Sequence, residues 1–104
     1  MRCLFLIFFL AGSVAHAQSK DEEELNNEGL ALMEAEKYKE ALPYFEKLVA
    51  INPERTPYRF NRAVTLFNLK QYQRSLQDYQ YLAAFDKEEP EYVFQIGNLY
   101  EHLD

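Results

Sequence analysis

Cysteine is nearly missing: the 104-residue chain has a single one, Cys3, with nothing to pair it. Disulfides therefore cannot hold the fold, and no thiolate metal site can assemble. Histidine is almost as scarce, with His16 near the start and His102 near the end. A metal site generally takes three or four protein ligands, so neither is read as a ligand. Glycine (3) and proline (4) are few, which suits a helical protein with few sharp turns. Positive charge is also short, since 11 Lys and Arg face 17 Asp and Glu for a formal net charge of -6. Phosphate affinity comes from clustered cations, so nucleic acid is not expected as a partner. There is no Gly-rich phosphate loop. Ser19 and Ser75 have no plausible base beside them, and no carboxylate pair is set apart as acid and base. No catalytic residue, metal or cofactor is therefore expected.

What is present is apolar and aromatic: 48% hydrophobic and 15% aromatic residues, too many for a disordered chain. That content is uneven. Met1-Arg2-Cys3 gives a positive start, Leu4 to Leu10 is wholly apolar, and Ala15-His16-Ala17 has the small-x-small form of a signal-peptidase site. The run falls well short of the ~20 residues that a membrane-spanning helix needs. This pattern predicts a signal peptide over residues 1–17 and a mature chain from Gln18, bound for the periplasm, the envelope or the extracellular medium. Leu10-Ala11-Gly12 resembles the front of a lipoprotein box, but Ser13 stands where the acylated Cys belongs, so no lipid anchor is expected. Cleavage removes Arg2 and Cys3, leaving 10 basic residues against 17 acidic, a net of -7.

The mature chain repeats itself. A shift of 34 residues lays Gly29 on Ala63 on Gly97, and Leu32 on Leu66 on Tyr100. The same shift lays Tyr38 on Tyr72, Ala41 on Ser75, Leu42 on Leu76, Phe45 on Tyr79, and Leu48 on Leu82. Each unit reads as two helices. Leu25, Gly29 and Leu32 fall on one face of a helix from about Glu22 to Ala35, with the acidic run Asp21 to Glu24 at its positive end. A second helix runs from about Lys39 to Ala50, with Ala41, Phe45 and Leu48 on one face, and Pro53 stops it. Pro57 and Pro90 sit near helix starts, whereas Pro43 lies a turn inside one. The expected organisation is a polar lead-in over 18–21, repeats over 22–55 and 56–89, and the first helix of a third over 90–104. Gly29, Ala63 and Gly97 are expected where paired helices approach closely.

Gly29, Leu32, Tyr38, Ala41, Phe45 and Pro53, then Ala63, Leu66, Tyr72, Ser75 and Tyr79, then Gly97 and Tyr100, resemble the tetratricopeptide repeat in order and spacing. The resemblance covers residues 22–104. Leu25, Arg59 and Val93 replace the family's early Trp, which predicts weaker packing there, most of all at Arg59. Leu48 and Leu82 replace a small residue, and Lys87 the closing proline of the second unit. The resemblance implies an all-α fold of antiparallel helical hairpins stacked as a right-handed α-solenoid.

It also implies a non-catalytic scaffold or adaptor with a concave groove lined by the first helices. The groove positions are Asn26, Leu30 and Met33, then Phe60, Val64 and Phe67, then Phe94, Asn98 and Glu101, with Asn61 beside them. The apolar middle suits a peptide, or it simply packs between repeats; both readings are open at this stage. Some family members clamp a peptide carboxylate with Lys and Asn. Here no Lys is expected on the three first helices, and Glu23, Glu34, Glu91 and Glu101 would repel a carboxylate. An apolar or basic peptide fits better. The last helix is apolar on more than one face, so further repeats or a partner are expected to cover it. The alternative function is the N-terminal docking or sensory region of a larger envelope receptor or enzyme.

Overall fold

The computed structural model describes residues 19–104. The expected signal peptide (1–17) and Gln18 lie outside the described residues. Five helices follow one another: α1 (Lys20–Glu34), α2 (Tyr38–Ile51), α3 (Thr56–Asn68), α4 (Tyr72–Phe85) and α5 (Pro90–Leu103). There is no strand among the described residues. Each helix packs on the next, as short connections demand of helical hairpins. No described helix is long and apolar enough to cross a membrane.

The 34-residue period is written into the backbone. The residue closing α1, Ala35, has φ -80° and ψ 4°, and its counterpart Leu69 has φ -85° and ψ 2°. Asn52 and Asp86, which close α2 and α4, share φ near -138° (-138° and -137°). Glu36 and Lys70 both take left-handed φ, 58° and 63°. The next amides bond back across the turn, Lys37 N to Leu32 O and Gln71 N to Leu66 O, 2.8 and 2.9 Å. With Glu36 N to Met33 O and Lys70 N to Phe67 O, both at 2.9 Å, these are paired Schellman caps. Neither uses glycine.

The start of α1 departs from expectation. Ser19 is no loose lead-in: its Oγ accepts from Glu22 N at 3.2 Å, and its own N–H donates to Glu22 Oε2 at 3.1 Å. This capping box starts the helix at Lys20, two residues before the expected Glu22. Glu22 is itself buried, unlike a solvated acidic residue, and its Oε1 accepts from Asn52 Nδ2 at 3.1 Å. Burial pushes its carboxyl up, but hydrogen bonds from Ser19, Asn52 and Tyr58 outweigh that and hold it below its usual value. The contact ties the start of the first repeat to the end of its second helix. Pro43 stays inside α2 without ending it. Pro43 and Lys39 are both exposed, so water can reach the carbonyl that the proline leaves unpaired.

Two apolar clusters run along the stack. Ala41, Phe45, Leu48, Val49 and Tyr58 form the first, with Leu25, Leu32 and Met33 against it. Ala63, Leu76, Tyr79, Leu82 and Leu99 form the second, packed by Phe60, Phe67, Tyr72, Tyr92 and Ile96. Gly29 is the close approach the spacing predicted: a Cβ there would stand 2.9 Å from Phe45 Cζ. Ala63 is fully buried, and its carbonyl accepts from Ser75 Oγ at 2.8 Å. Gly97 corrects the expectation, since a Cβ there would meet nothing within 4 Å. No described helix covers that side of α5.

A charged clamp joins α3 to α4. Asp78 is buried and takes a bidentate pair from Arg62, Nε at 2.9 Å and Nη2 at 2.7 Å. Arg59 Nη1 adds a third contact at 3.5 Å, and its guanidinium lies 3.7 Å from the Tyr81 ring centroid. Arg59 is therefore a cross-helix anchor rather than the weak point expected from the lost Trp.

Candidate partner-binding groove

The expected groove residues divide into packed and open sets. Phe60 meets Tyr79 edge-on with centroids 6.0 Å apart and lies 6.2 Å from Tyr92. Phe67 meets Tyr72 at 5.5 Å and His102 at 5.3 Å. These two rings join successive repeats, and His102 serves as packing between aromatics. Leu30 (39%) and Phe94 (67%) are exposed. Asn26, Met33, Asn61, Val64 and Asn98 are half-buried. Asn26 Oδ1 is buried without a hydrogen-bond partner, whereas the carbonyls of Asn61 and Asn98 contact Thr65 and His102.

Two cavities lie along this side of the first helices. One of about 340 Å³ opens between the starts of α3 and α5, lined by Thr56, Pro57, Phe60, Asn61, Glu89, Glu91 and Tyr92. It unites Phe60 and Asn61 with Pro57 and Tyr92, so one edge of the packed ring still faces open space. The second is bounded by Leu30, Met33 and Glu34. Val64, Phe67, Phe94 and Asn98 line neither. Neither cavity carries Lys or Arg on its walls, and both carry Glu. The walls are apolar and the rim is anionic.

One expectation about charge is corrected. Because α1 starts at Lys20, a lysine does stand on a first helix, at its exposed first residue. It lines neither cavity.

A third cleft, of about 370 Å³, was not anticipated. Pro53, Glu54, Thr56, Arg59, Tyr81, Leu82, Phe85, Asp86 and Tyr92 surround it. It occurs at the position where Arg59 replaces the bulky Trp of the repeat pattern, which was its one signal in the sequence. Among the described residues, no group of three or more His, Cys, Asp or Glu side chains is placed to hold a metal ion.

Comparison with known proteins follows the same lines. The tetratricopeptide-repeat family model matches residues 22–55. No curated protein matches the chain. The Sgt2 TPR domain from Aspergillus fumigatus shares 20% identity with a TM-score of 0.73, over 86% of this chain and 59% of that one. PcrH from Pseudomonas aeruginosa shares 27% identity with a TM-score of 0.74, over 82% of this chain and 65% of that one. PcrH in complex with the chaperone binding region of PopB is similar too, at 26% identity and a TM-score of 0.74, over 85% of this chain and 72% of that one. Residues 22–55 thus match the tetratricopeptide repeat, the chain as a whole shares the fold of these structures, and it spans less than two thirds of the length of the Sgt2 domain and of PcrH.

Proposed function

We propose that the chain is a non-catalytic scaffold or adaptor, exported through residues 1–17, that holds an apolar, basic peptide segment along α1, α3 and α5. The observation that carries this reading is the cavity between Phe60 and Tyr92, apolar inside and rimmed by Glu89 and Glu91. Phe60 and Phe67 are already packed between repeats, so the surface stands preformed and a peptide need not reorganise it. PcrH, a structural neighbour, has been solved with a segment of PopB bound, and that complex supports a peptide-holding role. The stacked hairpins, continued as a right-handed superhelix, keep this side concave.

Fluorescence anisotropy with two labelled peptides tests the reading, one alternating leucine and lysine, the other leucine and glutamate. The lysine peptide binds saturably and weakens with added salt, while the glutamate peptide does not bind. Leu30→Ser with Phe94→Ser lowers the affinity several-fold and leaves the helical circular dichroism unchanged, because both side chains are exposed. Equal binding of the two peptides, or indifference to the double substitution, would refute the groove. Export is tested separately. Mass spectrometry of the exported protein finds Gln18 as its first residue, and a retained residue 1–17 segment contradicts the signal peptide.

A further inference from the structure

The cleft of about 370 Å³ beside Arg59 has no part in the groove reading. It shares Thr56 and Tyr92 with the α3–α5 cavity, but its other walls come from the α2–α3 turn, Arg59 of α3 and the end of α4. Its volume falls in the range of ligand pockets, about 300–1,000 Å³. Three aromatic rings line it. Tyr81 and Phe85 stand four positions apart on α4, with centroids 5.0 Å apart and planes inclined by 52°, and Tyr92 comes from α5. Phe85 is 78% exposed and Tyr81 38%, so both present open ring surface. The Arg59 guanidinium, 3.7 Å from the Tyr81 centroid, holds that ring in place.

The polar groups on these walls are of two kinds. Arg59 carries donors only. Arg62 takes both oxygens of Asp78, which leaves Arg59 a single contact there at 3.5 Å, and Arg59 Nε is buried without an acceptor. The hydroxyls of Thr56, Tyr81 and Tyr92 can donate as well. Burial, and then Glu89 and Asp86, push the Tyr92 hydroxyl up, which keeps it protonated. The second kind is anionic: Glu54 and Asp86 are both exposed carboxylates. An ordinary extended peptide brings an N–H for each carbonyl, a poor match to a wall of donors. An acidic ligand meets Glu54 and Asp86. Proline instead brings an apolar ring and a carbonyl with no N–H, and polyproline II segments dock on aromatic-lined grooves. We propose that this cleft binds a proline-rich segment of a partner protein, its rings on Tyr81, Phe85 and Tyr92 and a flanking Arg or Lys against Glu54 and Asp86. One turn of that helix is three residues, rising about 9 Å. The proposal does not rest on the groove, which needs Leu30 and Phe94, whereas the cleft needs neither.

The probe is a fluorescein-labelled peptide of six prolines with an arginine at each end. Anisotropy with the chain shows saturable binding, and a peptide with alanine in place of every proline binds at least tenfold more weakly. Phe85→Ser lowers the affinity at least tenfold and leaves the helical circular dichroism unchanged, because that ring is largely exposed. Glu54→Gln with Asp86→Asn weakens binding several-fold and removes most of its salt dependence. Leu30→Ser with Phe94→Ser, the pair that tests the groove, leaves binding unchanged. Absence of saturable binding, equal binding of the alanine peptide, or indifference to Phe85→Ser overturns the proposal. So does loss of binding on Leu30→Ser with Phe94→Ser, which places the proline peptide in the groove instead. None of these outcomes concerns the leucine–lysine peptide, so failure here is separate from failure of the groove.

Discussion

Phe45 Cζ stands 2.9 Å from the position a Cβ on Gly29 would occupy, while the equivalent point on Gly97 has nothing within 4 Å. Phe45 is fully buried, and Tyr44 Cβ lies 3.2 Å from the same point, so the ring has little room to retreat. Overpacking of this kind costs about 1–3 kcal/mol. Alanine also gains about 1 kcal/mol of helix propensity over glycine. Gly29→Ala is therefore expected to lose about 1 kcal/mol and Gly97→Ala to gain about 1 kcal/mol. Urea unfolding of the two variants measures both. Changes of the same sign in the two would show that the glycines do not differ as described.

The left-handed residues give a second prediction. Glu36 and Lys70 hold φ at 58° and 63°, a region in which a side chain costs about 1–2 kcal/mol. Glycine removes that cost but adds freedom to the unfolded chain, roughly 0.5–1 kcal/mol. Glu36→Gly and Lys70→Gly are each expected to stabilise by about 0.5–1 kcal/mol in urea titrations. Lys37→Gly, one residue on with φ -93°, gives no gain.

Acid sensitivity follows from Glu22. Its folded carboxyl sits below its ordinary value of 4.5, because hydrogen bonds from Ser19, Asn52 and Tyr58 outweigh the upward push of burial. A depressed carboxyl contributes stability that is fully present above its unfolded value. That stability is lost as pH falls through the lower folded value. Glu22→Gln is therefore expected to reduce the thermal midpoint at pH 7 and to flatten its decline below pH 4.5. Circular dichroism melts across that range check both. An unchanged acid limb would remove Glu22 from the account.

The helical hairpins were legible because their information is local and periodic. Gly29, Ala41, Phe45 and their counterparts 34 residues on recur in register, and the helix period places each set on one face. The start of α1 was placed two residues late, at the acidic run, because the Ser19-to-Glu22 capping box that sets it was not read. The burial of Glu22 was not legible, since it depends on Asn52, thirty positions away in sequence. The same holds for Arg59. Its charge at a Trp position suggested poor packing, and only the approach of Tyr81 and Asp78 from α4 makes it an anchor. In the groove, position along the helix could not separate packed Phe60 and Phe67 from exposed Leu30 and Phe94. That separation depends on where α5 lands against α3.

Chemical-shift mapping of the ¹⁵N-labelled chain with the leucine–lysine peptide tests the groove most directly. The account predicts that the largest shifts fall on Leu30, Met33, Asn61, Phe94 and the neighbours of the Phe60–Tyr92 cavity. Shifts concentrated instead on the exposed sides of α2 and α4, around Lys39, Pro43, Gln73 and Gln77, would contradict it.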